Sequence, residues 1–199
     1  MKRWVIAAAL VLAACGQQAQ QRETSDADPV AVASETSAST IGPDGAAGIS
    51  AALPMNVAAV QGAAADYVVA EVDDQVEGEA FKAITLSTGA EEVFRVLPTA
   101  DRQHIHSVVT RSAQARSPAG EVVGQSKFAV APPEEVVFCA TEQFDGGNGF
   151  ACSTAADGRF WRVYRLPDGA EPAASFDEIE PDLLHDATLV EMRWIAPRV

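Results

Sequence analysis

Residues 137–152, "VFCATEQFDGGNGFAC", set two cysteines on either side of a glycine-rich loop. Four arrangements would use such a stretch: a metal clip, a redox pair, a phosphate cradle, or a strand–turn–strand hairpin closed by a bridge. The segments around it read as β-structure. Glu121–Val130, Glu134–Glu142, Gly149–Thr154 and Arg159–Leu166 are short runs separated by turn signals at 132–133 (Pro-Pro), 145–149 (DGGNG) and 156–158 (ADG). That alternation predicts an antiparallel meander.

Working outward, Ser175 and Glu178 have capping-box spacing and open a short helix bearing Phe176, Ile179 and Leu183, which Pro181 breaks or restarts. "ATLVEMRWI" (187–195) supplies a last strand. On the other side, Asn56–Ala65 reads as a short helix and "DYVVAEV" (66–72) as a strand. "TGAEEVFRVLP" pairs Thr88 with Glu91 at capping-box spacing and stops at Pro98, which predicts a helix with Phe94 and Leu97 inward. In 99–116, Ile105, Val108, Val109 and Ser112 share a helical face, although the β-branched content also suits a strand; the helix is preferred. Residues 56–199 are thus expected to form a single α+β domain, a small antiparallel β-meander with a few short helices.

The chain begins "MKRWVIAAALVLAACG". Lys2 and Arg3 precede a short apolar run that falls below the roughly 20 residues a membrane-spanning helix needs, and small residues follow it. Residues 1–14 therefore read as a signal peptide. Behind it, 15–55 is rich in Gln, Ala, Ser, Thr and Asp and has no aromatic residue, which predicts a flexible tether. The whole chain carries 14 Lys+Arg against 28 Asp+Glu, a formal charge of −14, and loss of Lys2 and Arg3 leaves the rest more acidic still. Nucleic acid and anionic headgroups would be repelled, so no nucleic-acid partner is expected.

Leu12-Ala13-Ala14-Cys15 resembles the lipobox of bacterial lipoproteins. The resemblance covers about sixteen residues and does not extend to the domain. It implies cleavage before Cys15, acylation of Cys15 as the new first residue, and attachment to a membrane through that lipid. Gly16 is not the Asp that commonly retains such proteins at the inner membrane, so the expected place is the outer membrane, facing the periplasm.

That location bears on the opening stretch. Outside the cytoplasm disulfides persist, and with Cys15 committed to lipid two thiols remain, Cys139 and Cys152. A bridge between them would close a loop worth about 3 kcal/mol. Register about Gly147 would pair Cys139 nearer Ala155, leaving an offset for a bulge or wider loop to absorb. The competing readings lack parts: there is no C-x-x-C spacing, no histidine within the loop for zinc, and no Lys after Gly149 for a P-loop.

Elsewhere the candidates are few. His104 and His106 would share a face only on a strand, and a metal would still need His185 or a carboxylate, so no metal or other cofactor is expected. The acidic run Glu71, Asp73, Asp74, Glu77, Glu79 lacks the closing Glu of a calcium loop, Ile84 standing in its place. No G-x-S-x-G or S-x-x-K occurs, and no catalytic residue is assigned. "RFWRVYRL" (159–166) is the distinctive surface candidate: Trp161, Arg162, Tyr164 and Arg165 combine aromatic and guanidinium groups, as interaction hot spots do. The functional expectation is a membrane-anchored envelope lipoprotein acting as a non-catalytic binding or assembly module, with an envelope protein as partner. The alternatives are a periplasmic hydrolase using acids or histidines, or an acidic disulfide-stapled inhibitor of a basic enzyme.

Overall fold

The computed structural model describes residues 39–128, 138–144, 147–153 and 158–198. The chain divides into units 1–33 and 34–199, and every described residue belongs to the second. The signal peptide 1–14, Cys15 and the first part of the tether lie outside the described residues.

Eight strands form one antiparallel sheet made of two meanders. The first comprises β3 (Val68–Val76), β4 (Glu79–Thr88), β5 (Glu91–Pro98) and β6 (Ile105–Thr110). The second comprises β7 (Phe138–Phe144), β8 (Gly147–Ser153), β9 (Phe160–Arg165) and β10 (Thr188–Ile195). The final strands of the two meanders pair with each other, so the order is β3-β4-β5-β6-β10-β9-β8-β7 and each meander's first strand is an edge. A two-stranded ribbon, β1 (Ile41–Gly42) with β2 (Gly45–Ala46), precedes them. Helices are short: α1 (Val57–Ala63), a 3-10 turn at Phe176–Glu178 and α2 (Pro181–Asp186). The described fold is mostly antiparallel β, and the α+β description fits it only loosely.

Two expected helices are strands. Thr88 ends β4 instead of capping a helix: Gly89, at φ 62°, and Ala90 form a two-residue hairpin turn that sends 91–98 back as β5. A glycine with positive φ at the first turn position suits the twist of a hairpin. The 99–116 segment yields β6, whose Ile, Val and Thr side chains gain more from a sheet with neighbours on both sides than from an isolated helical turn. Glu121–Lys127 forms turns and a single bridge from Lys127 to Thr188 instead of a strand, and 129–137 lie outside the described residues.

The tether boundary also moves. Ile41, Ala46, Ala47 and Ile49 are wholly buried. Ile41 N–H donates to the Arg116 carbonyl at 3.0 Å, and Ile105 N–H donates to that of Leu53 at 2.8 Å. Residues 39–55 are therefore part of the domain. Their composition misleads because small residues pack through close backbone approach: a Cβ on Gly48, at φ +83°, would meet the Ala63 carbonyl oxygen.

One face of the sheet forms the core. Ile84, Val96, Val108, Trp194 and Phe160 stand directly opposite one another along a row, and all are buried. Each large side chain buried in this way contributes about 1.5–3 kcal/mol. Over the second meander the core is aromatic: Phe150 stacks on Tyr164 at 5.3 Å, and Phe128 meets the two rings edge-on at 5.0 and 5.2 Å.

In the hairpin of the opening stretch Gly147 is a strand residue and not the centre of the turn. Phe144 pairs with Gly147, so Cys139 stands directly opposite Cys152, with Cα atoms 4.2 Å apart, and the two are bridged. The offset expected from the sequence disappears because the pairing of Phe144 with Gly147 sets the register.

Candidate functional site

The other face of the sheet carries the site. Along one row Thr85, Arg95, Val109, Arg193, Trp161, Ser153 and Phe138 face each other in turn. β10 brings its charges here through a bulge: the register shifts between Leu189 and Glu191, which keeps Leu189 and Met192 inward and turns Glu191 and Arg193 to this face.

This face is concave. Arg193 Nη2 donates to Glu142 Oε1 at 3.3 Å, although β8 and β9 lie between their strands. At about 4.8 Å per strand the two backbones would stand about 14 Å apart on a flat sheet. Side chains that rise from the sheet can meet over that span only if the sheet curls towards them. The result is a trough of about 480 Å³ whose lining runs from β3 to β10. Val109 is nearly buried in its floor, while Val76, Phe81 and Leu97 make an apolar end that continues past Pro98.

The walls are ionic. Arg193 donates from Nε to Glu191 Oε1 at 3.0 Å and from Nη2 to the same oxygen at 2.5 Å. Arg111 Nη2 lies 2.7 Å from Glu191 Oε2. On the opposite wall Arg95 grips Glu92 with Nε and Nη2, at 2.8 and 2.7 Å, and donates from Nη1 to Asp74 at 2.7 Å. Burial alone would raise the Asp74 pKa, but the Arg95 hydrogen bond, the Gln75 amide and the charges of Arg95 and Arg111 outweigh it, and the carboxyl sits below its ordinary value. For Arg193 burial favours the neutral form, yet Glu191 and Glu142 prevail and its pKa rises. Both shifts hold the network charged.

The candidate surface of 159–166 divides between the faces. Trp161 and Arg165 lie on the trough side, Trp161 half-buried with its indole donating to the Gly158 carbonyl at 2.6 Å, and Arg165 exposed with its guanidinium 5.8 Å from the Phe144 ring. Arg162 and Tyr164 alternate to the core and are buried. Arg162 Nε donates to Glu121 Oε2 at 2.5 Å, Ser117 Oγ donates to the same oxygen at 2.8 Å, and the guanidinium sits 4.9 Å from the Phe160 ring. Burial, then the Glu121 charge, pushes the Tyr164 phenol up. These two residues build the interior and are not available to a partner at the surface.

His106 lines the trough, His104 bridges to Pro54, and His185 lies exposed on α2 beside Asp186. Among the described residues no group of three or more His, Cys, Asp or Glu could hold a metal ion. The acidic run forms the β3–β4 hairpin, where Lys82 lies 3.7 Å from Glu71 and 2.7 Å from Asp73, Arg95 pairs with Asp74, and Arg102 pairs with Glu79 at 2.9 Å. Sequence reasoning missed Arg95, Arg111, Glu191 and Arg193. The available signal was the alternation Glu191-Met-Arg193-Trp-Ile195 in the last strand, which puts two opposite charges on one face.

No family model and no curated protein matches this chain. Among solved structures, the crystal structure of the uncharacterized protein yfeY from Escherichia coli is similar over 78% of this chain and 99% of that one, with a TM-score of 0.54 and 14% sequence identity. The likeness is one of fold. No helix among the described residues is long and apolar enough to cross a membrane.

Proposed function

We propose that this protein is a lipid-anchored module of the cell envelope that binds a small ligand in the trough of an α+β domain, without catalysis. The trough carries the reading: a cavity of about 480 Å³, within the range of ligand sites, with an apolar end and charged walls. Interiors built only for stability favour hydrocarbon, because half-buried ion pairs gain little over it. The anchor rests on Leu12–Cys15, and the outer membrane facing the periplasm follows from Gly16. Trp161 and Arg165 extend the trough face towards β7 as a rim for an envelope partner.

The test is native mass spectrometry of protein recovered from its own envelopes, comparing wild type with Val109→Trp, which fills the floor. A bound small molecule present in wild type and absent from a normally melting variant is expected. Equal occupancy in both, or none in wild type, sinks the reading. Cys15→Ser should move the protein to the soluble fraction, and continued membrane attachment would count against the anchor.

A further inference from the structure

The charges in the trough are balanced although the protein is not. Asp74, Glu92 and Glu191 face Arg95, Arg111 and Arg193, whereas the chain as a whole carries −14. An anion would meet three carboxylates and the acidic field of the protein. A simple cation would meet three arginines among those carboxylates. A ligand bearing both signs can satisfy both walls at once.

The partners differ in how committed they are. A guanidinium has five N–H donors. Arg193 and Arg95 each hold two carboxylates, but Arg111, with a side chain 76% exposed, makes a single ion pair among the described residues, to Glu191. Glu191 is itself only 6% exposed, so it anchors the guanidinium from below and leaves the outer donors turned to the opening. On the other wall Asp74 and Glu92 keep 25% and 39% of their side-chain surface exposed beside Arg95, enough for an ammonium to approach. Beside Asp74, which stands opposite Phe81, lies the apolar end at Val76, Phe81 and Leu97.

We infer that the ligand is a short zwitterionic peptide, its carboxylate on Arg111, its ammonium on Asp74 and Glu92, and an apolar side chain on Phe81 and Leu97. This deepens the proposed function and rests on it. Charge-assisted hydrogen bonds of this kind are the strong ones, and they discriminate sharply between charged and blocked termini.

Affinity selection with mass-spectrometric readout tests it on the full-length protein. The probes are an equimolar tripeptide library in four forms (free, N-acetylated, C-amidated and doubly blocked) and, separately, octyl glucoside as a neutral amphiphile. Free peptides should be captured at least tenfold better than doubly blocked ones. Arg111→Gln should abolish the advantage of the free carboxylate while leaving that of the ammonium, Arg111→Lys should restore it, and Asp74→Asn should do the converse of Arg111→Gln. Equal capture of free and doubly blocked peptides overturns the inference. If octyl glucoside then binds wild type but not Val109→Trp, the trough reading stands without its zwitterion; if neither probe binds, both readings fall.

Discussion

The two meanders share one sheet and one core, yet they hold their outer strands by different means. In the first, β3 is exposed along much of its length and is kept in register by local chemistry. Glu77 and Gly78, at φ 50° and 84°, make the turn into β4, and Lys82, Arg95 and Arg102 answer the acids of the hairpin. The Lys82 and Arg102 pairs stand largely in water, where screening leaves them little energy, and only Arg95–Asp74 is partly sheltered. In the second, β7 is fastened to β8 by a covalent bridge, and one step further in lies the buried Arg162–Glu121 pair. The same ionic chemistry is therefore an adjustment on one side and a structural commitment on the other. Burial makes the difference: once both charges have left water, neither can lose its partner cheaply.

Four measurements sharpen or break this contrast. Glu121→Leu leaves Arg162 buried without a counter-charge and should cost about 3–5 kcal/mol in chemical denaturation. Adding Arg162→Met should recover most of that loss; if the single variant costs no more than a surface substitution, the buried pair is not the commitment described. Replacing Cys139 and Cys152 together with Ala should cost about 3 kcal/mol, with β7 and β8 amides exchanging first. Faster exchange in β3 and β4 instead would put the weak edge on the other meander.

Gly78→Val puts a branched residue at a left-handed turn position and should cost about 1–2 kcal/mol, read as faster exchange in β3 and β4. The smallest effect concerns Asp74. Its folded pKa is depressed, so it contributes stability above its unfolded pKa of about 3.9 and loses that contribution as pH falls through the lower folded value. The melting temperature of wild type should thus exceed that of Asp74→Asn near neutral pH, with the gap narrowing progressively once the pH falls below about 3.9. A gap that persists in acid would mean that Arg95 is not what holds the carboxylate.

Legibility followed how local each signal was. The short helix at 57–63 carries its own cap, Asn56 Oδ1 accepting from the Ala59 amide at 2.9 Å, and could be read from its own residues. Pro181 stands at the first turn of α2, where its missing N–H costs nothing. Thr88 and Glu91, by contrast, have the spacing of a helix cap and serve a hairpin, because the strands on either side of 91–98 offered more than an isolated turn of helix could. The buried Ala and Gly of 39–55 were hidden by composition, since small side chains disclose their packing only against the backbone that surrounds them.

From its residues alone this chain determined the short helix at 57–63, the β character of much of its second half and the alternation that separates Trp161 and Arg165 from Arg162 and Tyr164, but not that the second pair is the buried one. Only the tertiary structure decided that the two meanders meet through their last strands, that 39–55 belongs to the domain, and that Asp74, Arg95, Arg111, Glu191 and Arg193 line one trough. Alternation assigns a residue to a face through its immediate neighbours. Which distant strands share that face, and how far the sheet curls to bring their charges within reach, depends on long-range pairing that no local stretch of chain encodes.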